Sequence, residues 1–139
     1  MVLKIDLSKA YDRVSWIYLR VILTKMGFGV FFITWIMSNL TFVSFFVLIN
    51  GVAYRFFRFG RELRQGCPLA PLLFLVVAEG LSRALLSAKS NGFFRGISFG
   101  NTISLTHVLF VDDIVMITDG STQSLSMLYE LLMDFTKAS

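Results

Sequence analysis

At 139 residues, 55% of them hydrophobic and 15% aromatic against 16% charged, the chain has one domain's worth of sequence and enough apolar side chains for a real core, which excludes a disordered segment. The net charge of +4 favours an anionic partner, and the lone Cys67 excludes an internal disulfide and suits a reducing compartment. The opening residues lack the long apolar core and cleavage site of a signal peptide, and read as though the chain began inside a domain.

A short strand over 2–5 comes first and delivers Asp6, Leu7, Ser8, Lys9, Ala10, Tyr11, Asp12 and Arg13. The spacing then predicts a helix over 15–26, with Ser15 placed to cap its first turn and Gly27 to end it. From Met26 to Tyr54 no residue is charged, and the stretch exceeds the roughly 20 residues that a membrane-spanning helix needs. A membrane span is therefore one reading of it. Gly27, Gly29, Ser38, Asn39 and Ser44 interrupt the run, which divides better into a helix over 31–40 and a strand over 42–49. Asn50-Gly51 then makes a hairpin turn into a strand over 52–59.

Arg55, Arg58, Arg61 and Arg64 recur every third residue before a long apolar helix over 69–90. Pro68 is expected at its first helical position, where a missing N–H costs nothing. Asn91-Gly92 ends that helix, and a short strand over 95–99 and a Gly100-Asn101 turn follow. Residues 105–117 are two apolar, β-branched runs around Asp112-Asp113, which predicts two buried strands joined by a tight hairpin. Leu125, Leu128, Leu131, Leu132 and Phe135 give 122–138 the spacing of a final amphipathic helix.

Like charges held side by side at the ends of buried strands repel and lose hydration unless a cation neutralises them. A hard divalent ion with oxygen ligands, Mg²⁺ above all, meets that need for Asp112 and Asp113. Asp6 would supply a third carboxylate, giving the donor set of a two-metal phosphoryl-transfer site. The plain alternatives are a solvated Asp turn and an Asp6 that caps the next turn. Tyr11 either bars a ribose 2′-hydroxyl or packs in the core. Gln65-Gly66 either lets a ligand approach the backbone closely or is only a turn. The four arginines either contact phosphates or form a solvated basic edge.

Lys4-Ile5-Asp6-Leu7-Ser8-Lys9-Ala10-Tyr11-Asp12-Arg13-Val14-Ser15-Trp16 resembles the first palm motif of reverse transcriptases from non-LTR (LINE-type) retrotransposons, plant ones especially. Leu63-Arg64-Gln65-Gly66-Cys67-Pro68-Leu69-Ala70-Pro71-Leu72-Leu73-Phe74 resembles the second, and Leu109-Phe110-Val111-Asp112-Asp113 the Asp-Asp third. The motif regions, 2–16, 61–74 and 105–117, stand in the family's order and span most of residues 1–139.

The resemblance implies an α+β fold, a right-hand polymerase palm with an antiparallel β-sheet backed by helices. It implies that Asp6 and Asp112 are the principal metal ligands, Asp113 the third carboxylate, and the Leu7 carbonyl a further ligand. Tyr11 matches the steric gate, and Gln65 with Gly66 the segment under the incoming nucleotide. The implied reaction adds deoxynucleotides to a DNA 3′-hydroxyl on an RNA template with two Mg²⁺ ions, Mn²⁺ serving as a substitute. The implied partners are RNA template, DNA primer, dNTP, and the fingers, thumb and endonuclease regions of a larger polyprotein, with no membrane, inside the cell in nucleus or cytoplasm. Cys67 stands where many relatives have Asp, Ala70 where Ser is frequent, Glu62 where Gly is frequent and Val111 where Ala is usual; none removes a metal ligand. Two other readings stay open: a retrotransposon remnant without catalysis, and a small membrane protein.

Overall fold

The computed structural model describes residues 1–7, 11–42, 44–57, 61, 63, 66–99, 103–110 and 113–138. In chain order the elements are β1 (Val2–Asp6), a 3-10 turn (Tyr11–Arg13), α1 (Trp16–Lys25), α2 (Val30–Thr41), β2 (Phe45–Ile49), β3 (Val52–Phe57), α3 (Ala70–Ser90), β4 (Ile97–Phe99), β5 (Ile103–Leu105), β6 (His107–Phe110), β7 (Asp113–Ile117) and α4 (Thr122–Ala138). They form a mixed α and β fold with antiparallel sheets.

The central sheet has the order β1-β7-β6, antiparallel throughout. Side chains alternate across it with the period of two that a pleated strand imposes. Leu3 and Ile5 of β1, Ile114 and Met116 of β7 and Leu109 of β6 turn inward to the core. Lys4, Asp6, Val108 and Phe110 are exposed on the opposite, open face.

α3 backs the inner face because its buried residues, among them Leu73, Phe74, Val77, Leu81 and Leu85, recur three and four apart. α1 lies across it through Leu19 and Leu23. Side chains of α1 pack onto Gly80, where a Cβ would meet the Tyr18 Oη at 2.5 Å. α4 completes the layer, its Phe135 ring meeting Tyr18 edge-on with centroids 5.9 Å apart.

Helix ends follow local chemistry. The Ser15 Oγ accepts the Tyr18 N–H at the start of α1, as a capping serine does. α1 and α3 close in the same way: the N–H of Phe28 donates to the Leu23 carbonyl and that of Phe93 to Ala88, the six-to-one bond of a Schellman end.

Three boundaries differ from expectation. Phe42 is the C-cap of α2 and not the start of a strand, which begins at Phe45. The Asn39 and Thr41 side chains donate to the Trp35 and Met37 carbonyls, and the Phe42 N–H still reaches Ser38, so the helix runs on. Pro68, expected at the first helical position, lies in the preceding turn; α3 begins at Ala70, and Pro71 is its second residue. The strand expected from residue 95 begins at Ile97.

The uncharged stretch from Met26 to Tyr54 is not one span. It divides into α2, β2 and the start of β3, with Asn50 and Gly51 both at positive φ, 52° and 80°, in the turn between the strands. Among the described residues α3 alone is long and apolar enough to cross a membrane, and it is the core helix of this fold. β2 and β3 form a separate two-stranded sheet on which Phe46, Val47, Leu48, Ile49, Val52 and Tyr54 are all exposed.

Candidate active site

The acidic motifs meet because β1 and β7 are neighbours. Their register sets Asp6 opposite Asp113, and that of β6 and β7 sets Phe110 opposite Asp113, so the three form one row across the sheet. Directly opposed residues on antiparallel strands have Cα atoms about 4.5–5.5 Å apart, with side chains on the same face. Asp6 is exposed and Asp113 half-buried. β6 ends at Phe110 and β7 begins at Asp113.

Lys4 enters the same face. Its Nζ lies 2.9 Å from the Asp113 Oδ2. Lys4 is paired with Val115 in the register, so it reaches diagonally along the strand toward Asp113. Sequence reasoning passed it over, although a residue two before Asp6 on an alternating strand shares its face.

Tyr11 begins the 3-10 turn after β1. Its ring stacks on Phe74 of α3, and its carbonyl accepts the Leu63 N–H at 2.8 Å. Tyr11, Gly66, Cys67, Pro68, Ala70 and Pro71 line an open cleft of about 480 Å³. Tyr11 thus packs against the core and also borders a cleft, so its two readings are not exclusive. Gly66 stands in the same wall at positive φ. Leu7 follows β1 directly and is partly buried against the core.

Arg55 is exposed on β3 and Arg61 is exposed beyond it. Asp112, Gln65, Arg58 and Arg64, with Glu62 and Val111, lie outside the described residues. Among the described residues no three His, Cys, Asp or Glu side chains gather as a metal cluster. The two strand-end carboxylates are nevertheless hard oxygen donors, and the ammonium beside Asp113 shows that the site draws positive charge. In chemistry, that donor set fits a divalent cation.

On the inner face His107 bridges α3 and the sheet. Its Nε2 lies 2.8 Å from the Ser82 Oγ and its Nδ1 2.9 Å from the Thr106 Oγ1. Burial lowers its pKa below the ordinary value, with Glu79 raising it and Lys89 lowering it further.

Comparison with known proteins gives the chain a family. The family model described as reverse transcriptase (RNA-dependent DNA polymerase) matches residues 1–139. An uncharacterized mitochondrial protein of Arabidopsis thaliana is 39% identical over 67 residues, 48% of this chain and 55% of that protein. An uncharacterized 149 kDa protein of transposon TX1 from Xenopus laevis is 35% identical over 77 residues, 55% of this chain and 6% of that protein. The matches therefore span about half the length of the first relative and a small part of the second.

Proposed function

The chain belongs to the reverse transcriptase (RNA-dependent DNA polymerase) family, and from that premise we propose that it is the palm region of a non-LTR retrotransposon enzyme that adds deoxynucleotides to a DNA 3′-end on an RNA template. The observation that carries this reading is the juxtaposition of Asp6 and Asp113 on the open face of one sheet. The transposon relative, of which this chain covers 6%, supports a larger polyprotein context.

In this reading Asp6, Asp112, Asp113 and the Leu7 carbonyl would hold two Mg²⁺ ions. When bound, such ions activate the attacking hydroxyl and stabilise charge on the departing pyrophosphate. The chain's own residues do the positioning. The β1–β7 pairing sets the backbone positions of the two carboxylates opposite each other before substrate arrives. Tyr11 closes one wall of the cleft where the sugar would lie, while Gly66, lacking a side chain, lets the nucleotide approach the backbone. Exposed Arg55 and Arg61, with Arg58 and Arg64, offer cations to nucleic-acid phosphates.

The test joins this chain in frame to the flanking segments of an active reverse transcriptase of the family. The chimera is expected to extend a DNA primer on an RNA template with dNTPs and Mg²⁺. Asp6→Asn or Asp113→Asn should reduce extension roughly a thousandfold, the consequence of losing about 4 kcal/mol of transition-state stabilisation. A folded chimera without extension would make the chain a non-catalytic remnant.

A further inference from the structure

Two carboxylates directly opposed on antiparallel strands destabilise the pairing unless charge is supplied to them. In this fold that charge comes from the same strand as Asp6. Lys4 projects from the open face two residues earlier, and its Nζ is 2.9 Å from the Asp113 Oδ2. The lysine side chain is 66% exposed and that of Asp113 34%, so the pair is bathed in water and exchangeable. A divalent cation held by Asp113 would compete with the Lys4 ammonium for the charge of this one carboxylate.

We propose that Lys4 is a positioning residue, an internal counter-cation that holds Asp113 in the metal-free protein and is displaced when a divalent ion binds. It thereby sets how much metal the site requires. The inference rests on the reading of Asp6 and Asp113 as metal ligands, and it predicts opposite signs for two measurements on one variant. Loss of Lys4 should weaken the metal-free fold and strengthen metal binding. A purely structural lysine would weaken both.

The probe is Mn²⁺ alone, followed by its electron paramagnetic resonance on the full chain carrying Phe31→Ser and Tyr54→Lys as the parent, two exposed positions away from the site that keep it soluble, with thermal unfolding measured in parallel. Lys4→Met is expected to bind Mn²⁺ two- to fivefold more tightly than the parent, since an exposed pair contributes up to about 1 kcal/mol and fivefold corresponds to that limit. Its unfolding temperature should fall without metal and rise further on Mn²⁺ addition than the parent's does. Lys4→Gln should follow it, and Lys4→Arg should match the parent. Lys25→Met removes one positive charge elsewhere and should leave Mn²⁺ affinity within twofold.

Parental or weaker Mn²⁺ binding in both Lys4→Met and Lys4→Gln would overturn the inference. So would an equal tightening in Lys25→Met, which would assign the effect to net charge. Failure of the parent to bind Mn²⁺ in a manner that Asp6→Asn diminishes would remove the metal-site reading itself, and this inference with it.

Discussion

The ring of Tyr11 lies over that of Phe74 with centroids 4.8 Å apart and planes inclined by 28°. The contact ties the segment after β1 to the first turns of α3. It also fixes the orientation of the aromatic wall beside Gly66 and Cys67.

A double-mutant cycle on Tyr11 and Phe74, read by urea denaturation, should give a coupling of about 0.5–1.5 kcal/mol. Tyr11→Phe should keep that coupling, because the ring and not the hydroxyl makes the contact. In the polymerising chimera, Tyr11→Ala should raise ribonucleotide incorporation relative to deoxynucleotide, with Tyr11→Phe near the parent. Unchanged sugar selection in an active Tyr11→Ala chimera would leave Tyr11 as a packing residue only.

Gly80 sets the approach of α1 to α3. Ordinarily Gly→Ala inside a helix gains about 1 kcal/mol. Here the new Cβ would stand 2.5 Å from the Tyr18 Oη and 2.9 Å from the Ile22 Cδ1, so two side chains must move at once. Overpacking of this kind costs about 1–3 kcal/mol and should outweigh the helical gain. Gly80→Ala is thus expected to destabilise by about 1 kcal/mol, and adding Tyr18→Phe, which deletes the clashing hydroxyl, should recover part of the loss.

His107 gives the fold a pH dependence. Its pKa is lowered in the fold chiefly by burial, so between its folded and unfolded values the unfolded chain binds more protons. The resulting stability is fully present above the unfolded value of about 6.5 and is lost as the pH falls through the lowered folded value. Urea midpoints should therefore decline from about pH 7.5 to about pH 5.5, and His107→Gln should flatten that slope. An identical slope in the variant would remove His107 as its source.

Phe31 is 94% exposed, Phe42 81% and Tyr54 77%, on α2, its cap and the β2–β3 hairpin. Large aromatic side chains exposed to this degree favour association. The chain alone should aggregate at micromolar concentration, and Phe31→Ser with Tyr54→Lys should raise the soluble fraction without changing its circular dichroism. Aggregation unaffected by both substitutions would point to another surface.

Much of the local structure was legible in the residues. Ser15 capped α1, Gly27 and Gly92 ended their helices, Asn50-Gly51 turned the hairpin, and the leucine spacing of 122–138 marked α4. Each signal acts through hydrogen bonds, φ preference or side-chain period within one or two turns of chain, so neighbours in sequence suffice to set it. The boundary at Phe42 was less legible because the uniformly apolar stretch from Met26 to Tyr54 offers no polar contrast between helix and strand. The acidic residues were legible as one donor set, but their pairing across the strands was not. That Asp6 faces Asp113, that Lys4 reaches diagonally to the same carboxylate, and that Tyr11 rests on Phe74 were decided by the tertiary structure. Strand register depends on which face each strand buries against α3 and on bonds to a distant partner. A slip of one residue would turn Leu3 and Ile5 to solvent and bury Lys4 and Asp6, so burial of the apolar set is what brings the charges together on the open face.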